Sequence, residues 1–125
     1  MRQNHYEDKD IHIYEEDDIM ICNFKQGVVV NQELSSRMIK KRISASGNRD
    51  RKMISDCRGV KYWTMSSRNN DMKKDAFKYI SVSALVIKNP ILGKIWQFTV
   101  SLFPTPIEVK VFYNFDEAWN WIKLK

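Results

Sequence analysis

Apolar and polar positions along the chain alternate in short blocks. Ile11-His12-Ile13-Tyr14 and Ile19-Met20-Ile21-Cys22-Asn23-Phe24 are β-rich runs on either side of Glu15-Glu16-Asp17-Asp18. That spacing predicts an antiparallel hairpin opening the domain. After Gln26-Gly27, Val28-Val29-Val30 leads to Asn31, which suits the N-cap of a helix running to about Ser46, with Gly47 as its stop. Leu34, Met38 and Ala45 share one face of that helix, and the basic residues lie mostly elsewhere. Lys52-Met53-Ile54-Ser55 reads as the next strand. Thr64 or Ser66 can cap a second helix whose buried side carries Met72, Ala76, Phe77 and Ile80. Val82 to Ile87 then reads as a strand buried on both faces, as a central parallel strand is.

The third helix, opened by Asn89-Pro90, is unusual. At about 100° per residue, Ile91, Ile95, Phe98 and Leu102 make one apolar stripe, and Leu92, Trp96, Thr99 and Phe103 make a second beside it. Gly93, Lys94, Gln97 and Ser101 form a polar strip. A helix packed on one sheet face needs a single stripe, so the second should meet another element, a partner or a ligand. Pro104-Thr105-Pro106 ends this helix, Val109 to Tyr113 is the last strand, and Asn114-Phe115-Asp116-Glu117 resembles a capping box for a final helix. The order is ββαβαβαβα. Right-handed crossovers turn it into a mixed, mostly parallel five-stranded sheet flanked by four helices, spanning residues 10–125. Residues 1–9 are expected to be a flexible acidic tail.

Length and composition then narrow the class. At 125 residues the chain suits one domain, and its 43% hydrophobic content exceeds that of disordered, highly charged chains. It should fold alone or as a small oligomer. The N-terminus shows no charged stub followed by an apolar run, and no window reaches the roughly 18 apolar residues needed to span a bilayer, so a cytoplasmic location is expected. Cys22 and Cys57 lack CxxC spacing and accompanying histidines, and read as buried thiols rather than metal or redox ligands. The formal charge of +6 is segregated: Glu7, Asp8, Asp10, Glu15, Glu16, Asp17 and Asp18 precede Arg37, Lys40, Lys41, Arg42, Arg49, Arg51 and Lys52. The basic stretch 37–52 is either a solvated helix face followed by a charged loop or a phosphate- or nucleic-acid-binding surface.

Catalytic motifs are scarce. The two histidines, His5 and His12, lie in the acidic N-terminal part, and neither HExxH, GxSxG nor a Gly-rich phosphate loop occurs. Cys57 is the one candidate nucleophile, because Arg58 and a following helix N-terminus could lower its pKa, but no histidine is predicted nearby. A protein without enzymatic activity, cofactor or metal is expected. Asp56 and Arg58 sit at the carboxyl end of a parallel strand, where open α/β sheets place ligands. A structural role competes: Asp56 capping the loop, Arg58 paired with a carboxylate, and Gly59 at positive φ.

Three stretches carry a family resemblance: Ile54-Ser55-Asp56-Cys57-Arg58-Gly59-Val60-Lys61, Ser81 to Val86, and Val111 to Trp121. Over about residues 10 to 124 the chain resembles small bacterial proteins of unknown function with a STAS-like, SpoIIAA-like (anti-sigma-factor-antagonist-like) fold. The resemblance implies that fold and little about function. In anti-sigma-factor antagonists the loop after this strand carries a phosphorylatable serine, whereas here the matching segment is Asp56-Cys57-Arg58-Gly59. Thr64, Ser66 and Ser67 follow a turn or two later and could accept phosphate, although ordinary capping explains them more simply.

The leading expectation is a protein-interaction domain, homodimeric through helix 91–103 with Leu92, Ile95, Trp96, Thr99 and Phe103 at the contact. The alternative is that the same helix lines a pocket for a lipid-like or other apolar small molecule. Phosphate or nucleic-acid binding through residues 37–52 ranks third, since no aromatic residues are interleaved with the bases.

Overall fold

The computed structural model describes residues 2–102 and 105–125. Strands β2 (Ile11–Glu16) and β3 (Ile19–Phe24) form the hairpin, pairing antiparallel from Ile11–Phe24 to Glu16–Ile19. Asp17 and Asp18 make its turn with φ of 52° and 64°, the left-handed pair that matches strand twist in a two-residue connection. Strands β1 (Arg2–Glu7), β5 (Arg51–Asp56), β7 (Ile80–Val86) and β8 (Glu108–Phe112) complete a six-stranded sheet of order β1-β2-β3-β5-β7-β8. From β3 onward the pairing is parallel. A separate parallel pair joins β4 (Val28–Val30) to β6 (Val60–Trp63).

Three of these strands depart from the sequence expectation. Residues 2–7, expected as a flexible tail, are the edge strand β1, paired antiparallel with β2 across a bulge between Asn4 and Tyr6. Their composition hid this because edge pairing is made by backbone, and their side chains add polar contacts: His5 with Glu15 at 2.8 Å and His12 with Asn4 at 3.0 Å. With β1 the sheet has six strands rather than five, and the short β4 and β6 runs pair as a ribbon beside it whose Val30, Val60 and Trp63 join the core.

Helix α1 (Gln32–Ala45) starts where Asn31 accepts a hydrogen bond from the Leu34 N–H at 2.9 Å and stops before Gly47 at φ +71°. Helix α2 (Met65–Asp71) is shorter than expected. The span to Ile80 breaks at Met72, continues as a 3-10 turn over Lys74–Phe77, and Ile80 opens β7 instead of closing a helix. The break follows Asn69-Asn70-Asp71, poor helix formers, of which Asn70 and Asp71 find side-chain partners on α1. Helices α3 (Pro90–Leu102) and α4 (Phe115–Lys123) complete the chain.

The sheet is covered on both faces. One core joins Ile19, Ile21, Ile54, Val82, Ala84, Val86 and Phe112 to Ala118 and Ile122 of α4. Full burial of side chains such as Ile54 and Ile122 contributes about 2–3 kcal/mol each. The other core joins Ile11, Ile13, Met20, Cys22 and Phe24 to Leu34 and Met38 of α1, with Trp63 and Trp96 packed edge to face at 5.4 Å.

The charge segregation along the chain becomes ion pairing in the fold. Arg37 binds Asp8 at 2.5 Å and Asp10 at 2.9 Å, Arg49 binds Asp18 at 3.0 Å, and buried Arg51 binds Glu15 at 2.5 Å and the Ser46 carbonyl at 3.2 Å. Burial, the largest influence on Asp8, raises its pKa, but the N–H groups of Asp10 and Ile11, the Tyr6 hydroxyl and Arg37 together hold it at about 2. Arg51→Ala leaves Glu15 facing the sheet edge without its cation; urea unfolding should show a loss of about 3 kcal/mol, and a loss below about 0.5 kcal/mol would contradict this role.

Candidate functional site

The sheet face under α1 and α3 is not filled. A cavity of about 120 Å³ lies between Cys22, Met53, Ser55, Ser83 and Leu85 of the sheet, Ser35, Met38, Ile39 and Arg42 of α1, the Asp71–Phe77 segment, and Trp96 and Val100 of α3. This pocket is partly open to the surface rather than sealed within the core. The floor explains part of it. Buried parallel strands usually carry Val or Ile, whereas β5 and β7 place the small residues Ser55 and Ser83 here.

The roof is held up by polar side chains of α1. Buried Arg42 donates to the Lys78 carbonyl at 2.7 Å and the Ala76 carbonyl at 3.1 Å, which fixes the 3-10 turn over the cavity. Burial lowers the pKa of its guanidinium. Ser35 donates to the Asp71 carboxylate and accepts from Asn70 at 2.9 Å, while Ser36 accepts from the same amide at 3.1 Å. Burial pushes the Asp71 carboxyl up to about 7, against the pull of the Ser35 hydroxyl.

Helix α3 presents the opposite side to that expected. Leu92 is half-buried, Trp96 and Thr99 are buried, and Ile91, Phe98 and Leu102 are 70%, 64% and 58% exposed, with Ile95 at 36%. Of the residues assigned to a surface contact, only Ile95 lies on the outer side; Leu92, Trp96 and Thr99 belong to the core, and Phe103 lies outside the described residues. Gly93 lies on the buried side against the Tyr113 ring, and Trp96 and Val100 on the same side go inward, with Trp96 packed edge to face on Trp63.

In the loop after β5, Asp56 and Arg58 pair with each other. Buried Asp56 receives Arg58 Nε and Nη2 at 2.8 Å each, a bidentate pair that also places the guanidinium 5.2 Å from the Phe115 ring centroid. Gly59 does not have a positive φ; a Cβ there would lie 2.8 Å from the Lys25 carbonyl, so close approach to the β3–β4 connection excludes one. Cys57 is buried, and burial raises its pKa well above the usual thiol value, with Asp56 adding to the rise. Burial likewise pushes Cys22 up to about 12. Thr64 caps α2 by accepting from the Ser67 N–H at 3.2 Å and sits 3.1 Å from the Ser66 hydroxyl, and buried Ser67 donates to the Thr64 carbonyl at 2.8 Å. Of these hydroxyls, that of Thr64 is used in capping.

Sequence reasoning missed Ser35, Arg42, Asp71, Ser55 and Ser83. Two signals pointed to them: serines inside otherwise apolar strands, and Ser35 and Arg42 at helical spacing with Leu34 and Met38. Among the described residues no group of three or more His, Cys, Asp and Glu could hold a metal ion, and no helix is long and apolar enough to cross a membrane.

Asp71 generates a pH prediction. The unfolded chain gives up this proton near pH 4, and the folded chain keeps it to about 7. Its contribution is therefore intact below pH 4 and is lost as pH rises through 7. Over those three pH units, at about 1.4 kcal/mol each, the wild type should lose about 4 kcal/mol relative to Asp71→Asn in denaturant titrations. Parallel stability profiles for the two proteins would refute it.

A solved structure described as an uncharacterized protein from the DUF3478 family with a SpoIIAA-like fold, from Shewanella loihica PV-4, aligns with a TM-score of 0.65 at 15% identity. The alignment covers 98% of this chain and 95% of that one, and it shows that the fold is SpoIIAA-like. No curated protein matches the chain. A family model described as "Domain of unknown function (DUF7793)" matches residues 13–124, nearly the whole folded unit around the cavity, and the chain belongs to that family.

Proposed function

We propose that this domain is a non-catalytic binding module whose cavity takes a small, mainly apolar molecule. The observation that carries the reading is the partly open, mainly apolar pocket of about 120 Å³ against the sheet, beside which Arg42 holds the 3-10 turn by its carbonyls. A purely apolar engineered cavity of ~150 Å³ binds benzene or xenon, so the size suits a ligand of one ring or a short branched chain. The buried, poorly acidic thiols of Cys22 and Cys57 are lining groups in this reading, not nucleophiles. The four arginines of the stretch 37–52, Arg37, Arg42, Arg49 and Arg51, serve the fold, since all are engaged within the chain.

Native mass spectrometry of protein purified from cells should show a mass above that of the bare chain that is lost on denaturation. Val100→Phe, which fills the cavity from α3, should abolish both the retained mass and any ligand-induced rise in Tm while leaving the far-ultraviolet circular dichroism unchanged. Bare mass in the wild type, together with no Tm rise for any member of a panel of one-ring compounds, would refute the reading.

The outer stripe of α3 favours a second reading. Ile91, Ile95, Phe98 and Leu102 form a contiguous exposed apolar face suited to self-association about a twofold axis. Light scattering should give a dimer mass that Phe98→Glu reduces to the monomer; a wild-type monomer at high micromolar concentration would remove this reading.

A further inference from the structure

Resting on the cavity reading above, we propose that the ligand is an uncharged molecule with one hydrogen-bond acceptor, and that the indole N–H of Trp96 donates to it. Trp96 is only 5% exposed and lines the cavity, yet its Nε1 is buried with no acceptor among the described residues. A buried N–H without a partner costs about 1–3 kcal/mol, and buried tryptophans normally find one. Phenylalanine would fill this position without that cost. The indole therefore makes sense as half of a hydrogen bond whose other half is brought by the occupant.

The walls argue for neutrality. Among the described residues Arg42 is the one basic residue lining the cavity, and each of its terminal nitrogens already donates to a carbonyl, of Lys78 or of Ala76. A ligand carboxylate would have to compete with those carbonyls for the guanidinium and would face Asp71, whose own ionisation is already disfavoured by burial. An ammonium would have to shed its water for a carboxylate whose Oδ1 already accepts from Ser35. A carbonyl or ether oxygen on an apolar body meets the N–H without either penalty.

The test compares ligands of one size: acetophenone, ethylbenzene, benzoate and benzylamine, read by titration of the ¹⁵N-labelled protein. The four indole N–H resonances report directly, and Trp96→Phe identifies that of Trp96; nuclear Overhauser contacts to α3 assign it should that variant fail to fold. Acetophenone should shift the Trp96 indole resonance and bind about fivefold or more tightly than ethylbenzene, as one net hydrogen bond of about 1 kcal/mol implies. Trp96→Phe should erase the preference. Equal binding of the two with the indole resonance unmoved would overturn this inference while leaving the cavity reading standing. That result would mean the N–H is directed at the face of Trp63, with which Trp96 makes an 86° contact. Tighter binding of benzoate or benzylamine would overturn the neutrality argument. Failure of all four to bind, with no mass retained on the native protein, would remove the cavity reading and this inference together.

Discussion

The suspension of the Asp71–Lys78 segment above the sheet is the constraint on which the rest of the architecture turns. Arg42 and Ser35 project from the inward face of α1, where apolar side chains would have drawn the segment down into contact with β5 and β7. They bind backbone carbonyls and the Asp71 carboxylate instead, and so fix its height. A buried guanidinium carries a desolvation cost that only well-made hydrogen bonds offset, and removing its partners would leave the charge uncompensated. The cavity below is thus maintained by polar geometry rather than left over from poor packing.

The third helix closes the same space from the other side. Gly93 lets α3 approach Tyr113, and Trp96 then reaches Trp63 across the core. With the large side chain inward, Ile91, Phe98 and Leu102 are carried to the surface. The helix consequently has two different apolar faces with different surroundings: one belongs to the cavity, the other to solvent or a partner. Ligand binding and self-association would be adjacent on one element.

In the loop that carries regulation in anti-sigma-factor antagonists, Asp56 and Arg58 here neutralise each other, Gly59 makes room for the neighbouring backbone, and Cys57 is sealed in the core. Thr64, Ser66 and Ser67 are absorbed into the start of a helix of only seven residues. Open clefts also run beside Arg58, Gly59 and Lys88 at the sheet edge most often used for ligands in α/β folds, so the space under the helices is one of several.

The sequence by itself determined what depends on local chemistry. Paired β-rich runs set the hairpin, Asn31 and Asn114 set helix starts, Gly47 a stop, and the doubly apolar run Val82–Val86 the central strand. The resemblance in the stretches from Ile54, Ser81 and Val111 carried the SpoIIAA-like fold. Only the tertiary structure decided β1, because an edge strand is made by backbone pairing that polar side chains neither signal nor forbid. It also decided which stripe of α3 is buried, since periodicity finds faces without saying which meets the sheet; the buried side carries Gly93, which lies against Tyr113, twenty residues further along the chain. The cavity was illegible for the same reason. It exists where Ser55, Ser83, Arg42 and Asp71 converge from separate elements, and a void has no residue of its own to read.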